Sequence, residues 1–217
     1  MNFIFGTAGF AKEVDWLICD LLAVQRIQYA TDYFVAEDGN KLIGNDINFH
    51  LVLSEKEYFE KYSSTENKCF IAVGNPALRE RIVQKIRSKS FPYEFPNLIH
   101  PSVAFDSRPG KIDIGEGNII CANSVLTTDI RIGDFVQINL DCTIGHDATL
   151  GDYATLSPGV HVSGNVHIRE KVFVGTGAVL LERVTIGSNV KIGAGATVIG
   201  DLDIPGTYVG VPARKVN

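Results

Sequence analysis

The chain has 217 residues, 45% of them hydrophobic, which suits one or two domains with a sizeable core. A net charge of −5 and the lack of any Lys and Arg cluster exclude a general nucleic-acid binder. No run of about twenty apolar residues occurs, and Met1 to Gly6 lacks a basic region before an apolar stretch, so the expectation is a cytoplasmic protein, neither secreted nor inserted in a membrane. Cys19, Cys69, Cys121 and Cys142 form no CxxC pair and have no metal-ligand spacing, which fits reduced thiols.

The first 97 residues read as a small α/β domain. Phe3-Ile4-Phe5 is a strand candidate, Gly6-Thr7-Ala8-Gly9 a turn, and Val14, Leu17, Ile18, Leu21 and Leu22 give helical spacing between Phe10 and Val24. A second strand, Tyr33-Phe34-Val35, runs to Glu37-Asp38-Gly39. A third, from Cys69 to Val73, runs to Gly74-Asn75-Pro76 and a helix from about Ala77 to Ser88. This alternation predicts a mostly parallel, Rossmann-like sheet. Ligands of such sheets bind at the carboxyl ends of the strands, where Gly6 to Gly9, Glu37, Asp38, Gly74 and Asn75 fall. Gly-Thr-Ala-Gly-Phe-Ala is not a full GxGxxG, and the domain is too short for a complete dinucleotide fold, so a mononucleotide portion fits better than NAD. A tight turn that binds nothing is the competing reading. Residues 89–113, with four prolines, would connect the two domains and begin the first irregular coils.

Every sixth residue from Ile114 to Val198 is aliphatic, without exception over 85 residues. The residue two places earlier is mostly small or β-branched, and the one after is often glycine, as at Gly115, Gly133, Gly145, Gly151, Gly175, Gly187 and Gly193. An antiparallel sheet would show period two instead. The pattern predicts a left-handed parallel β-helix over 98–217, three hexapeptides to a triangular coil, the aliphatic residue inside and glycine easing a positive-φ turn.

His146, in Gly145-His146-Asp147, falls in a hexapeptide loop where an outward imidazole beside a carboxylate can act as a general base, although adjacent side chains need not face each other. Residues on one face recur every eighteen, whereas His146, His161 and His167 are fifteen and six apart, which argues against zinc. No metal is expected. The late coils are rich in small residues, with Gly164, Thr176, Ala194 and Gly195 leaving backbone amides open to an extended ligand. Near the end, Pro212 precedes Arg214 and Lys215, two cations suited to phosphates.

Together, Gly6 to Val14 (GTAGFAKEV), Ala72 to Arg79 (AVGNPALR), Asn97-Leu98-Ile99-His100-Pro101, Ile144-Gly145-His146-Asp147 and Gly210-Val211-Pro212-Ala213-Arg214 resemble the hexapeptide-repeat nucleotide-sugar acetyltransferases typified by the bacillosamine-pathway N-acetyltransferase and the sialic-acid O-acetyltransferase-like proteins. The resemblance implies a homotrimer with acetyl-CoA in a groove between neighbouring β-helices and the nucleotide held by the N-terminal domain. It implies His146 as base, with Asp147 beside it, and Asn139 at the sugar. Gly164, Thr176 and Ala194 would contact the pantetheine arm, and Glu37 and Asp38 the base or ribose. Phe10 stands where some relatives carry a histidine near the sugar. The implied reaction is N-acetylation of a nucleotide-linked amino sugar, a 4-amino-4,6-dideoxyhexose for surface polysaccharide or glycoprotein. The alternatives are sugar O-acetylation and a non-catalytic nucleotide-binding β-helix protein.

Overall fold

A computed structural model describes residues 1–62 and 64–216. They form two compact units, Met1–Gly74 with Leu78–Leu98, and Asn75–Ala77 with the chain from Ile99 onward. No helix among the described residues is long and apolar enough to cross a membrane.

In chain order the N-terminal elements are β1 (Asn2–Phe5), α1 (Gly9–Ala23), β2 (Tyr33–Ala36), β3 (Asp46–Ile47), β4 (His50–Ser54), α2 (Glu55–Lys61), β5 (Asn67–Ile71), α3 (Pro76–Arg87) and β6 (Tyr93–Glu94). The sheet runs β3-β4-β2-β1-β5-β6, parallel except where β3 meets β4. Phe3 pairs with Tyr33 on one side and Cys69 on the other, so β1 is central. Its Phe3, Ile4 and Phe5 are fully buried, as expected for a parallel strand covered on both faces. Tyr58 of α2 packs edge-on against Phe3 and Phe5, at 4.8 and 5.0 Å between ring centroids, and its hydroxyl meets the Cys69 thiol at 3.3 Å. After β1, Gly6 adopts φ +130°, and a Cβ there would sit 2.6 Å from the Ala72 carbonyl oxygen, so this turn requires glycine.

The β3–β4 hairpin and α2 are absent from the sequence reading. The hairpin turns through Asn48 and Phe49 with φ of 49° and 69°, a left-handed pair that carries no glycine to announce it. Helix α2 did carry a signal: Ser54-x-x-Glu57 is a capping box. Ser54 Oγ accepts the Glu57 amide at 3.1 Å and Glu57 Oε2 accepts the Ser54 amide at 3.0 Å.

The second unit is a parallel β-helix with three faces. Thr143 pairs with His161 and His161 with Val179 on one face, Thr149 with His167 on the next, and Thr155 with Phe173 on the third, each eighteen residues on. The aliphatic column points inward, and Ile138, Ile144, Leu156, Val174 and Leu180 are completely buried together with the small residues preceding them, such as Cys142 and Ala154. Burying each large aliphatic contributes about 1.5–3 kcal/mol. Ala104–Phe105 and Ile112–Ile114 already pair with Val125–Leu126 and Ile130–Ile132, so regular coils are present by residues 104–114.

The role assigned to the glycines after the aliphatic column needs correction. None of Gly115, Gly133, Gly145, Gly151, Gly175, Gly187 and Gly193 has a positive φ. They are small because the next coil is in contact: a Cβ on Gly145 would stand 2.6 Å from Gly164 N and the Ser163 carbonyl carbon, and one on Gly175 2.6 Å from Ala194 N. The left-handed residues fall two places later, at Gly117, Asn123, Asp129, Phe135, Asp141, Asp147 and every sixth residue to Gly195, with φ between 55° and 69°. Asparagine, aspartate and glycine dominate there because they tolerate that region best.

Candidate active site

In the N-terminal unit, the ends of β1, β2 and β5 enclose a pocket of about 240 Å³. Gly6, Thr7, Ala8, Phe10, Glu37 and Gly74 all line it. Ala8 caps α1 without any side-chain bond, and the first turn holds no acidic residue, so the helix presents open amides at this end. Gly9 has nothing within 4 Å of its missing Cβ, leaving the backbone approachable. Glu37 pairs with Arg81 at 3.0 Å, both largely exposed. Asp38 is turned elsewhere: its Oδ1 accepts the Lys56 amide at 3.0 Å in the first turn of α2, so it serves that helix rather than the pocket. Asn75 is not among the lining residues. Three residues that the sequence reading passed over complete the wall: Asn40, whose amide reaches Thr7 Oγ1 at 3.4 Å, Arg81, and Glu55. Glu55 is nine-tenths buried and ion-paired to Lys85, and its position straight after the Ser54 cap was the available signal.

In the β-helix, His146 and Asp147 come together. Asp147 takes the left-handed turn position at φ +59°, which swings its carboxylate beside the preceding ring, and His146 Nδ1 meets Asp147 Oδ2 at 2.8 Å. Donation from Nδ1–H fixes the tautomer with an Nε2 lone pair, on an imidazole that is 57% exposed. Directly along the axis, eighteen residues on, lies Gly164: a Cβ there would be 2.6 Å from His146 Nε2. Asp147 also borders an open groove of about 650 Å³, with Arg131, Thr149, Asn165 and His167 on its wall. The sequence reading did not connect these, though the eighteen-residue spacing of Thr149 and His167 would have shown them stacked.

His161 and His167 have ordinary partners, the Thr143 and Thr149 hydroxyls, each at 2.9 Å. No group of three His, Cys, Asp or Glu side chains among the described residues is arranged to hold a metal ion. Asn139 is buried, with Nδ2 donating to the Leu156 carbonyl at 2.8 Å. It follows the Gln137–Ile138 strand, on a different corner of the prism from His146, which follows Thr143–Ile144. Thr176, Ala194 and Gly195 share Asn139's corner, exposed and backbone-open, with Gly195 N donating to the Thr176 carbonyl at 2.8 Å. Within one chain, therefore, His146 and this row of small residues are not adjacent. Arg214 and Lys215 lie on the final strand, Arg214–Val216, antiparallel to Thr207–Val209, after Pro212, and both are exposed.

Residues 3–86 match the PglD N-terminal domain, and residues 165–200 the bacterial transferase hexapeptide (six repeats). The fold is similar to that of WeeI from Acinetobacter baumannii AYE, at 30% identity, with all of this chain and 99% of that one covered and a TM-score of 0.86. It is equally similar to the acetyltransferase domain of PglB from Neisseria gonorrhoeae FA1090, at 30% identity, 99% and 98% coverage and a TM-score of 0.85. A histidine-to-asparagine mutant of perosamine N-acetyltransferase from Caulobacter crescentus, solved with CoA and GDP-perosamine, follows at 29% identity, 100% and 96% coverage and a TM-score of 0.84. A curated serine acetyltransferase from Synechococcus elongatus is 47% identical over 45 residues, so the chain spans only about 18% of that relative's length. A PglD-type N-terminal domain followed in the chain by a hexapeptide β-helix, with the three solved structures matching it end to end, places the chain in the hexapeptide-repeat family of nucleotide-sugar N-acetyltransferases.

Proposed function

We propose that the protein transfers the acetyl group of acetyl-CoA to the amine of a nucleotide-linked amino sugar, a 4-amino-4,6-dideoxyhexose. The observation that carries this is the His146–Asp147 dyad: an exposed imidazole with its Nδ1 held by a carboxylate and Nε2 facing a glycine that leaves room for substrates. The pocket at the strand ends of the N-terminal unit takes the nucleotide, with the open amides of α1 toward the diphosphate and Glu37 toward the ribose. Relatives solved with CoA and GDP-perosamine support the same pair of substrates.

In the reaction, His146 Nε2 accepts the proton that the amine loses as its nitrogen bonds to the thioester carbonyl carbon. Asp147 holds the imidazolium, and the Gly164 N–H offers the carbonyl oxygen a donor as charge develops there. His146 then returns the proton to the departing thiolate, so no covalent enzyme intermediate forms. Holding both substrates together supplies much of the acceleration.

Because His146 and the open row at Thr176 and Ala194 occupy different corners of one prism, a cleft bordered by both is completed by a second copy, which favours a homotrimer. These substrates fit a cytoplasmic enzyme, as do thiols rather than disulfides at Cys19, Cys69 and Cys142. Thiol release from acetyl-CoA with UDP-, dTDP- and GDP-linked 4-amino sugars, beside His146→Ala, tests the reaction: turnover on one acceptor that falls about 10²-fold to 10⁴-fold in the variant is expected. Acetyl-CoA binding without turnover on any of them would reject this acceptor class. A monomer in light scattering at working concentration would reject the shared cleft.

A further inference from the structure

The open groove beside the dyad holds a cation that no described residue of the protein engages. Arg131 lies on the strand Ile130–Ile132, which pairs with Ile112–Ile114 on one side and Thr149–Leu150 on the other, in the column Asp113, Arg131, Thr149, His167. It is exposed on the wall of the groove that Asp147 borders. Its guanidinium makes no hydrogen bond and no ion pair with any described residue. Other charges along this wall are paired: Asp129 Oδ1 accepts the Lys111 ammonium at 2.7 Å, and Asp147 Oδ2 holds His146 Nδ1 at 2.8 Å. Asp113, the cross-strand neighbour, is exposed and screened by water, and it leaves Arg131 unpaired. A guanidinium whose N–H donors are all open is suited to a phosphate or carboxylate taken bidentately.

We propose that Arg131 binds the phosphate attached to C1 of the acceptor sugar, and so sets the preference for phosphate-linked over free amino sugars. This rests on the reaction proposed above and adds the residue that recognises the activated form of the sugar. Acetyl-CoA carries phosphates too, but position along the helix axis separates the two substrates. Thr176 and Ala194, the open row read as the pantetheine site, follow the strands Phe173–Val174 and Lys191–Ile192, in coils after that of His146. Arg131 lies one coil before it, paired with Thr149 at a strand spacing of about 4.7–4.9 Å. The donor and Arg131 are therefore on opposite sides of the base. Because the amine faces the thioester, the rest of the sugar points away from the donor. In a 4-amino hexose the C1 phosphate lies across the ring from the amine. With the amine at His146 Nε2, that phosphate is displaced by a ring width, comparable with the strand spacing, and the long arginine side chain covers the rest. The phosphate on the nucleoside side is left to the open amides of α1.

Steady-state kinetics of the full chain test this, with the amino sugar that turns over in the panel above supplied in three forms: nucleotide-linked, as the 1-phosphate, and free. In the wild type the 1-phosphate should exceed the free sugar in kcat/KM by at least about tenfold, the value of one hydrogen bond between charged groups. Arg131→Ala should abolish that ratio and raise KM for the nucleotide sugar about tenfold, while kcat and KM for acetyl-CoA stay within about twofold of wild type. Arg131→Lys keeps the charge without the paired N–H groups and should fall between the two; it decides alone if the alanine variant loses the wild-type thermal melt. A 1-phosphate preference as large in Arg131→Ala as in the wild type would overturn the assignment and leave acetyl transfer standing. Should neither truncated form turn over, an unchanged KM for the nucleotide sugar in Arg131→Ala would overturn it equally. A rise in KM for acetyl-CoA alone would put Arg131 on the donor and overturn it too. Failure of every nucleotide-linked sugar in the wild type would overturn the reaction itself.

Discussion

Gly164→Ala separates catalysis from folding at this site. The backbone of Gly164 lies outside the left-handed region, so alanine is conformationally acceptable there, and losing unfolded-state freedom favours the fold by about 0.4–1 kcal/mol. The new methyl group, however, would stand 2.6 Å from His146 Nε2 and 2.7 Å from Cε1. Carbon contacts settle at about 3.5–4.0 Å, so the ring must retreat by about 1 Å. That displacement strains the 2.8 Å bond to Asp147 and moves the accepting nitrogen from the amine. A misplacement of this size costs about 10²-fold in kcat. The amide N–H survives in alanine, so KM for acetyl-CoA is the control. Steady-state kinetics with the cognate amino sugar, beside a thermal melt, should give kcat down about 10²-fold with Tm unchanged or slightly raised. Gly145→Ala is the contrast: its methyl would meet the backbone of the next coil at 2.6 Å, and backbone cannot swing aside, so stability should fall by about 1–3 kcal/mol. If Gly164→Ala keeps kcat within about threefold of wild type on an intact fold, the imidazole above it is not the base.

Four further outcomes are expected. Asp147→Asn keeps the size of the side chain but lets the amide favour the wrong imidazole tautomer, so kcat should fall by about tenfold or more while the fold persists, measured by the same assay and melt. Leu156→Ala opens a cavity in the prism interior, where Leu156 is fully buried, and should cost about 2–5 kcal/mol in chemical denaturation. Burial pushes the Cys69 thiol from its ordinary 9.0 up to about 12, and that of Cys142 up to about 11. Their contribution to stability is therefore full below pH 9.0 and lost as pH climbs toward the folded values, which a denaturation series across that window will read. In the same native protein at pH 8, a thiol reagent should label Cys19, the exposed one of the four, and Cys19→Ser should abolish the fast phase.

The β-helix was legible because its core has a simple rule: one aliphatic residue per hexapeptide, fixed by the prism's width, and Ile114 to Val198 obey it throughout. The dyad was half legible. His146 stood out as a loop histidine, but its contact with Asp147 depends on the left-handed turn at that position, whose period was hidden because residues as different as Phe135, Lys171 and Gly177 occupy it. Glycines were visible and their reason was misread, since contact between coils eighteen residues apart leaves no local mark. Asp38 and Asn139 show the same limit: both have polar side chains at sites that invite a ligand, yet one serves the first turn of α2 and the other ties neighbouring coils. Glu55 became notable only when the fold brought it against Lys85, thirty residues away, and into the pocket.

The most direct test of the central claim is mass spectrometry of the nucleotide sugar after incubation with acetyl-CoA and the purified protein, before and after mild alkali. N-acetylation predicts a gain of one acetyl group that alkali leaves in place, because it is held as an amide. A gain that alkali removes would reveal an ester on a hydroxyl and contradict amine transfer, and an acceptor unchanged while acetyl-CoA binds would contradict the reaction itself.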